Sequence, residues 1–256
     1  MKIASWNVNS LRVRLLQVLE WLEATNVDIL ALQETKTQDL EFPRDEIHKA
    51  GYHVVFSGQK TYNGVAILAK SEPTDIVTDI DKLEDPQRRI LIATVDDIRI
   101  VNLYVVNGSE VGSEKYAYKL EWIDKVTAHI KKEMKAHKKV IVLGDFNIAP
   151  EDRDVHDSEK WKDKILCSQD ERQALEKMLS LGLSDTFRNF KQDDKLFSWW
   201  DYRGGGFRRN HGLRIDLILA TKALNDYCIK SSIDKTPRTW ERPSDHAPVI
   251  AEFRVK

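Results

Sequence analysis

Two short stretches of this chain carry residue types suited to phosphate chemistry. Pro243-Ser244-Asp245-His246-Ala247-Pro248 pins an acid and an imidazole between prolines, and Gly144-Asp145-Phe146-Asn147 closes a bare apolar run. Glu34 follows a second such run, Ile29-Leu30-Ala31-Leu32-Gln33, and Asn7 and Asn9 follow the first, near the N-terminus. An acid or amide just after a strand is usually a turn residue whose side chain caps local backbone. Taken singly, Asn7, Glu34, Asp145, Asn147, Asp216 and Asp245 say no more than that. Their joint placement says more, because ligands commonly sit at strand ends in sheets with parallel pairs. Carboxylates brought together repel one another and call for a cation. Oxygen donors without cysteine or histidine ligands favour magnesium or manganese over zinc.

Asp145 and Asn147 stand two apart, so in extended backbone both side chains would project on one face and hold a water and a phosphate oxygen together. A carboxylate next to His246 would fix its tautomer and raise its pKa, making it a cation or donor toward phosphate. No serine or cysteine motif announces a covalent nucleophile, which leaves water as the attacker. The run Phe197-Ser198-Trp199-Trp200-Asp201-Tyr202-Arg203, followed by Gly204-Gly205-Gly206, combines aromatic rings with arginine. Part of it is expected in a core. Trp200 is read as a wall for a sugar or base, with Arg203 holding phosphate.

These groups need elements to position them. Residues 2–9 read as a strand, and Leu15, Leu16, Leu19 and Leu22 recur at helical spacing over 12–25. Val27 to Gln33 reads as a strand buried on both faces. This strand-helix-strand unit would bring Asn7 and Glu34 to the same ends of neighbouring parallel strands. Strand-like segments near 52–57, 64–70, 75–80, 89–95 and 98–106 lie close enough in sequence to favour antiparallel pairing. Ser113 caps a long helix with an inner face of Leu120, Ile123, Ile130 and Met134. Its terminal lysines, Lys131 to Lys139, read as a solvated end. A strand at 140–143, a helix at 171–181, a strand at 214–220 and a closing strand at 249–254 complete the chain. The pattern is α/β, with two sheets packed face to face and helices outside.

The chain of 256 residues has ample length for a buried core, and no linker or repeat divides it, so residues 1–256 are expected to form one domain. Cys167 and Cys228 cannot make a disulfide framework and read as reduced thiols. Without a transmembrane stretch or signal-peptide core, a cytoplasmic protein with no membrane partner is expected. The net charge of −1 argues mildly against nucleic acid, but the Arg203, Arg208, Arg209 and Arg214 cluster offers a local counterweight.

Taken end to end, the chain resembles the exonuclease III-like AP endonucleases of the endonuclease/exonuclease/phosphatase superfamily. The resemblance rests on Trp6-Asn7-Val8-Asn9-Ser10-Leu11-Arg12, Leu32-Gln33-Glu34-Thr35-Lys36, Gly144-Asp145-Phe146-Asn147, Gly212-Leu213-Arg214-Ile215-Asp216 and Ser244-Asp245-His246. The Glu, Asp-x-Asn and Asp-His elements also suit lipid and inositol phosphatases. The aromatic segment before Leu213 is what looks like the DNA-repair members.

The resemblance implies a four-layer α/β sandwich of two mixed sheets. It implies magnesium at Glu34 with Asn7 helping to shape the site and Asp245 beside the metal; manganese would substitute. Asp145 would orient or deprotonate water, Asn147 would bind the scissile phosphate, and Asp216 would hold His246. Tyr104 would lie against the phosphate with Asn107 behind it, and Trp200 would line the pocket for an extruded baseless sugar. The implied activity is cleavage 5′ to abasic sites in duplex DNA, with 3′-5′ exonuclease and 3′-phosphatase or 3′-phosphodiesterase action, by a monomer. Family members vary around Lys164-Ile165-Leu166-Cys167, where side-chain bulk would affect access of internal sites. Competing readings are a 3′-end-cleaning enzyme, a non-catalytic damage-binding module, and, more distantly, a lipid or inositol phosphatase.

Overall fold

The computed structural model describes residues 1–254 except 81, 82 and 84. One six-stranded sheet holds β1 (Lys2–Asn7), β2 (Ile29–Gln33), β3 (His53–Ser57), β4 (Val65–Ala69), β11 (Cys228–Ile233) and β12 (Val249–Phe253), in the order β11-β12-β1-β2-β4-β3. The other holds β5 (Thr74–Val77), β6 (Ile90–Val95), β7 (Ile98–Tyr104), β8 (Val140–Asp145), β9 (Leu183–Asp185) and β10 (Asp216–Thr221), in the order β5-β6-β7-β8-β10-β9.

Side-chain alternation explains why the central strands look apolar throughout. In β2, Ile29 and Ala31 enter the core between the sheets, while Leu30 and Leu32 face outward. In β8, Ile141 and Leu143 point inward, and Val140 and Val142 pack outward. The outward residues of the first sheet meet α1 (Leu11–Thr25) and α2 (Arg44–Lys49). Those of the second meet α3 (Glu114–Ala136) and, beyond the short turn α4 (Ser158–Trp161), α5 (Gln169–Leu179). Helix, sheet, sheet, helix is the four-layer arrangement expected from the sequence.

The parallel pairs are β1 with β2, where Asn7 stands opposite Gln33, and β7 with β8, where Tyr104 stands opposite Asp145. The strands between 52 and 106 pair antiparallel as expected, but the chain divides them, sending β3 and β4 to one sheet and β5 to β7 to the other. Ser113 caps α3 by accepting the Tyr116 amide. The buried face of that helix is rotated from the expected one: Trp122, Ile123, Val126 and Ile130 are buried, while Leu120 and Met134 are only partly covered. Its terminal lysines Lys131, Lys135 and Lys138 are exposed. Among the described residues, no helix is long and apolar enough to cross a membrane.

A buried amide cross-link passes between the sheets. Gln33 Nε2 donates to Ser5 Oγ at 2.9 Å and to Asn102 Oδ1 at 2.8 Å. Asn102 Nδ2 donates back to the carbonyls of Leu32 at 3.0 Å and Ala66 at 2.9 Å. Buried amides placed in this way accept few alternative registers, so they fix how the two strand ends face each other.

Candidate active site

Strand register brings the candidate residues together. Tyr104 and Asp216 are both cross-strand neighbours of Asp145, one on the parallel side and one on the antiparallel side. The first sheet contributes Asn7 at the end of β1 and Glu34 just past β2. Gly144 makes the Asp145 position possible, because a Cβ there would strike the Leu103 carbonyl of the adjoining strand, and its φ is +143°.

Asn7 bridges the sheets: its Nδ2 donates to Glu34 Oε1 and to Asp145 Oδ2, both at 2.9 Å. Its Oδ1 accepts the Asn9 amide at 3.0 Å. Asn7 therefore orients two carboxylates, where the sequence reading gave it a share in shaping the metal site. Tyr104 donates to Glu34 Oε1 at 2.8 Å, and Lys36 Nζ lies 3.0 Å from Glu34 Oε2. Burial works against the Glu34 carboxylate, but the charge of Lys36 and the Asn7 bond overcome it and hold its pKa below the ordinary value. Burial, reinforced by Glu34, raises the Tyr104 phenol well above its usual range, so it stays a proton donor.

His246 Nδ1 lies 2.9 Å from Asp216 Oδ2, and its Nε2 faces Asp145 Oδ2 at 3.7 Å. Burial opposes the imidazolium, but Asp216 and Asp145 outweigh it and raise the pKa to about 10. Burial pushes Asp145 up to about 7, against the lowering effect of the histidine cation. Ser198 accepts the amides of Ile215 and Asp216 through its Oγ, each at 3.0 Å, and so fixes the start of β10.

Asn147 departs from the extended geometry expected for it. Its φ is +49°, and its amide donates to Asp145 Oδ1 at 2.9 Å in a tight Asx turn. The turn still sets the two side chains together. Asn147 Nδ2 donates to the Val105 carbonyl at 2.9 Å, and its Oδ1 accepts from Asn107 Nδ2 at 3.1 Å. Asn107 itself is exposed.

Among the described residues, ligand atoms of Glu34, Asp145 and His246 approach within 4.8 Å of one another. Two of these three groups are carboxylates, and oxygen donors suit a hard divalent cation. Asp245, expected beside the metal, stands outside that group. Asn9 Nδ2 holds its Oδ1 at 2.9 Å and Trp199 Nε1 holds its Oδ2 at 3.0 Å.

The aromatic segment lies differently from the expectation. Trp200 is fully buried, with its ring packed against Phe207 and under the guanidinium of Arg238, so it is core and not a ligand wall. Alternation along the extended segment turns Trp199 the other way, where it pairs with Leu213 and His246 and is partly exposed. Arg203 is spent on Asp201, which accepts from its Nε at 3.1 Å and its Nη2 at 2.9 Å, and it lies at the surface. Arg214 leaves the basic cluster altogether; it is buried between Asp154 and Asp185. Sequence reasoning missed Lys36, Ser198 and Trp199. The signal for Trp199 was the choice of phase between two adjacent tryptophans.

The sequence profile of the Endonuclease/Exonuclease/phosphatase family matches residues 4–246. An exodeoxyribonuclease III from Haemophilus influenzae is 36% identical, with 99% of this chain and 100% of that one covered. The fold superposes on the 3′ phosphatase NExo from Neisseria, solved with a product DNA hairpin, at a TM-score of 0.98 and 47% identity with both chains fully covered (100%). An AP endonuclease from Archaeoglobus fulgidus superposes at 0.95 with 40% identity, again over 100% of both chains.

Proposed function

Because this chain belongs to the Endonuclease/Exonuclease/phosphatase family and to its exonuclease III-like branch, we propose that it is a metal-dependent DNA-repair phosphodiesterase. In this reading it hydrolyses the backbone 5′ to abasic sites in duplex DNA and trims 3′ ends as exonuclease and 3′-phosphatase. The observation that carries it is the joining of Glu34, Asp145, Asp216 and His246 into one buried network at the seam of two sheets. A module that only bound DNA would have no need of so many titratable groups together.

A magnesium ion held by Glu34, with Asp145 alongside, would supply Lewis-acid stabilisation of phosphoryl charge. The chain's own groups do the rest. Asp145, as the carboxylate that faces the His246 cation, takes the proton of the attacking water. His246, kept cationic by Asp216, donates to a phosphate oxygen and offsets charge as it develops. Asn147 and Asn107 hold the phosphate from the side of β7 and β8, and Tyr104 offers its hydroxyl from beside Glu34. An abasic nucleotide has lost its stacking, so turning it outward toward Trp199 costs less than for an intact one.

A second reading restricts the same chemistry to 3′ ends. It is favoured by the 47% identity to a 3′ phosphatase solved with its product DNA hairpin. Two duplexes separate the readings, one with an internal abasic-site analogue and one with a nick ending in 3′-phosphate, each with magnesium or chelator. Magnesium-dependent cutting of the first supports the AP endonuclease. Release of phosphate from the second alone supports the 3′-end specialist. DNA binding without any product would reject both.

A further inference from the structure

Behind the phosphate side of the site, α3 carries a lysine where a solvated helix face would be expected. The side chains of Lys119 and its partner Glu171, on α5, are both fully buried, with 0% exposure. Lys119 Nζ donates to Glu171 Oε1, to the carbonyl of Asn147 at 2.7 Å and to the carbonyl of Asn107 at 3.1 Å. Its three N–H bonds are therefore all used, in three directions, from a single point. Glu171 is equally committed. It accepts the amides of Leu166 at 3.1 Å and Ser168 at 3.0 Å, and the Ser168 hydroxyl at 2.7 Å.

Two of the loops touched by this pair carry Asn107 and Asn147, the residues assigned above to the phosphate. Asn107 and Asn147 meet through their side chains, while Lys119 grips both of their carbonyls from behind. Asn147 sits at φ +49° in its Asx turn, and the Lys119 bond fixes the carbonyl that leaves that turn. The lysine stem also supports the turn after Asn107. A Cβ on Gly108 would come within 3.0 Å of both Lys119 Cδ and Ile165 Cδ1. The third loop, around Leu166, hangs from Glu171.

Stability alone does not account for such a pair, because a buried ion pair is often no better than apolar residues of equal volume. An apolar pair could fill the space, but it could not hold two carbonyls and two amides at set distances. Burial even works against the charged lysine, lowering its pKa despite Glu171.

We infer that Lys119 and Glu171 are positioning residues, an internal clamp that presents Asn107 and Asn147 to the substrate phosphate and fixes the Leu166 loop beside them. The inference rests on the reading of Asn147 as a phosphate ligand given above.

The test is the charge-removing double variant Lys119→Met/Glu171→Gln, assayed in magnesium on the abasic and nicked duplexes. In protein that melts cooperatively, kcat should fall by about 10-fold or more while KM changes far less, as for contacts realised in the transition state. Adding Asn147→Ala to the double variant should deepen the loss little beyond Asn147→Ala alone, since the clamp acts through that residue. Wild-type kcat in the folded double variant, or losses that simply multiply, would overturn the clamp.

Should the double variant not fold, Lys119→Arg keeps the charge but misplaces the donors and crowds the site, and in protein still folded at the assay temperature its kcat should fall. Unchanged kcat in folded Lys119→Arg would count against the clamp. Hydrogen exchange needs no activity. The amides of Asn147 and Ser109, which are bonded to Asp145 and Asn107, should exchange faster in the variants, and unchanged protection would reject the proposal. Wild-type protein inactive on both duplexes would reject the functional reading instead, leaving exchange to decide the clamp.

Discussion

Asp216 and His246 share a 2.9 Å contact in the interior, and the far nitrogen of the same imidazole looks onto Asp145 at 3.7 Å. One histidine is thus braced by a carboxylate on one side and turned toward another. Replacing Asp216 with asparagine keeps the shape but removes the charge that favours the imidazolium. kcat should drop by roughly 10²–10⁴-fold, the usual range for a lost acid–base contribution, and the melting temperature should fall too, because the buried imidazolium loses its counter-charge. Full activity in a folded Asp216→Asn protein would remove this pair from the mechanism.

Asn7 is the donor that lets Glu34 and Asp145 lie close together. Asn7→Asp would place a third acid where two N–H groups now point. With chelator present the protein should lose about 1.5–3 kcal/mol of stability, as for hydrogen bonds to charged groups. Saturating magnesium should restore much of it, because binding only the folded form adds stability. Thermal melts in chelator and in magnesium would show this, and equal losses in both would mean that no cation sits near Asn7.

The two tryptophans should separate cleanly. Trp200→Ala removes a fully buried ring and should cost about 3–5 kcal/mol in urea unfolding. Trp199→Phe keeps a smaller aromatic ring but loses the indole bond to Asp245. It should cost far less stability than Trp200→Ala and lower kcat/KM on an abasic duplex by about 10-fold, equivalent to about 1.4 kcal/mol. A stable Trp200→Ala with weakened substrate binding would restore Trp200 to the pocket.

The cysteines should differ in reactivity. Burial pushes the Cys167 thiol up to about 12, and the side chain is only 5% exposed. A raised thiol pKa means less thiolate at a given pH, and thiolate is the reactive form. At pH 8 the native protein should therefore resist alkylation at Cys167, with any early label on the more accessible Cys228. Peptide mapping before and after denaturation would show it, and stoichiometric native labelling of Cys167 would contradict its burial.

The elements that were legible in sequence are those whose periodicity is set by burial. The strand-helix-strand opening, the strand ending at Asp145 and the cap at Ser113 all stand where their patterns placed them. The short or exposed pieces α2, β9 and β11 carried no such signal, because Cys228–Ile233 mixes exposed and covered residues at a sheet edge. In the site, polar residues ending apolar strands were readable because strand ends collect in one place. Trp199 was not, since two adjacent aromatics look alike until the chain direction fixes which one faces Asp245. Arg214 and Lys119 failed for a related reason: a charged residue reads as solvated unless its partners, here Asp154, Asp185 and Glu171, are known to be close.

The amide cross-link from Gln33 to Asn102 sits one residue from Glu34 and two from Tyr104, so together with Asn7 it stitches the sheets beside the chemistry. Half of the reactive set hangs from each sheet, and neither half retains its geometry if the layers slide. Warming should therefore not produce a slack but still folded form with residual turnover. Activity and the folded signal should vanish along a single curve, with the hinge-like freedom that substrates require confined to the outer loops. Such a molecule can change its preferred damage by altering those loops while the seam that cuts stays as it is.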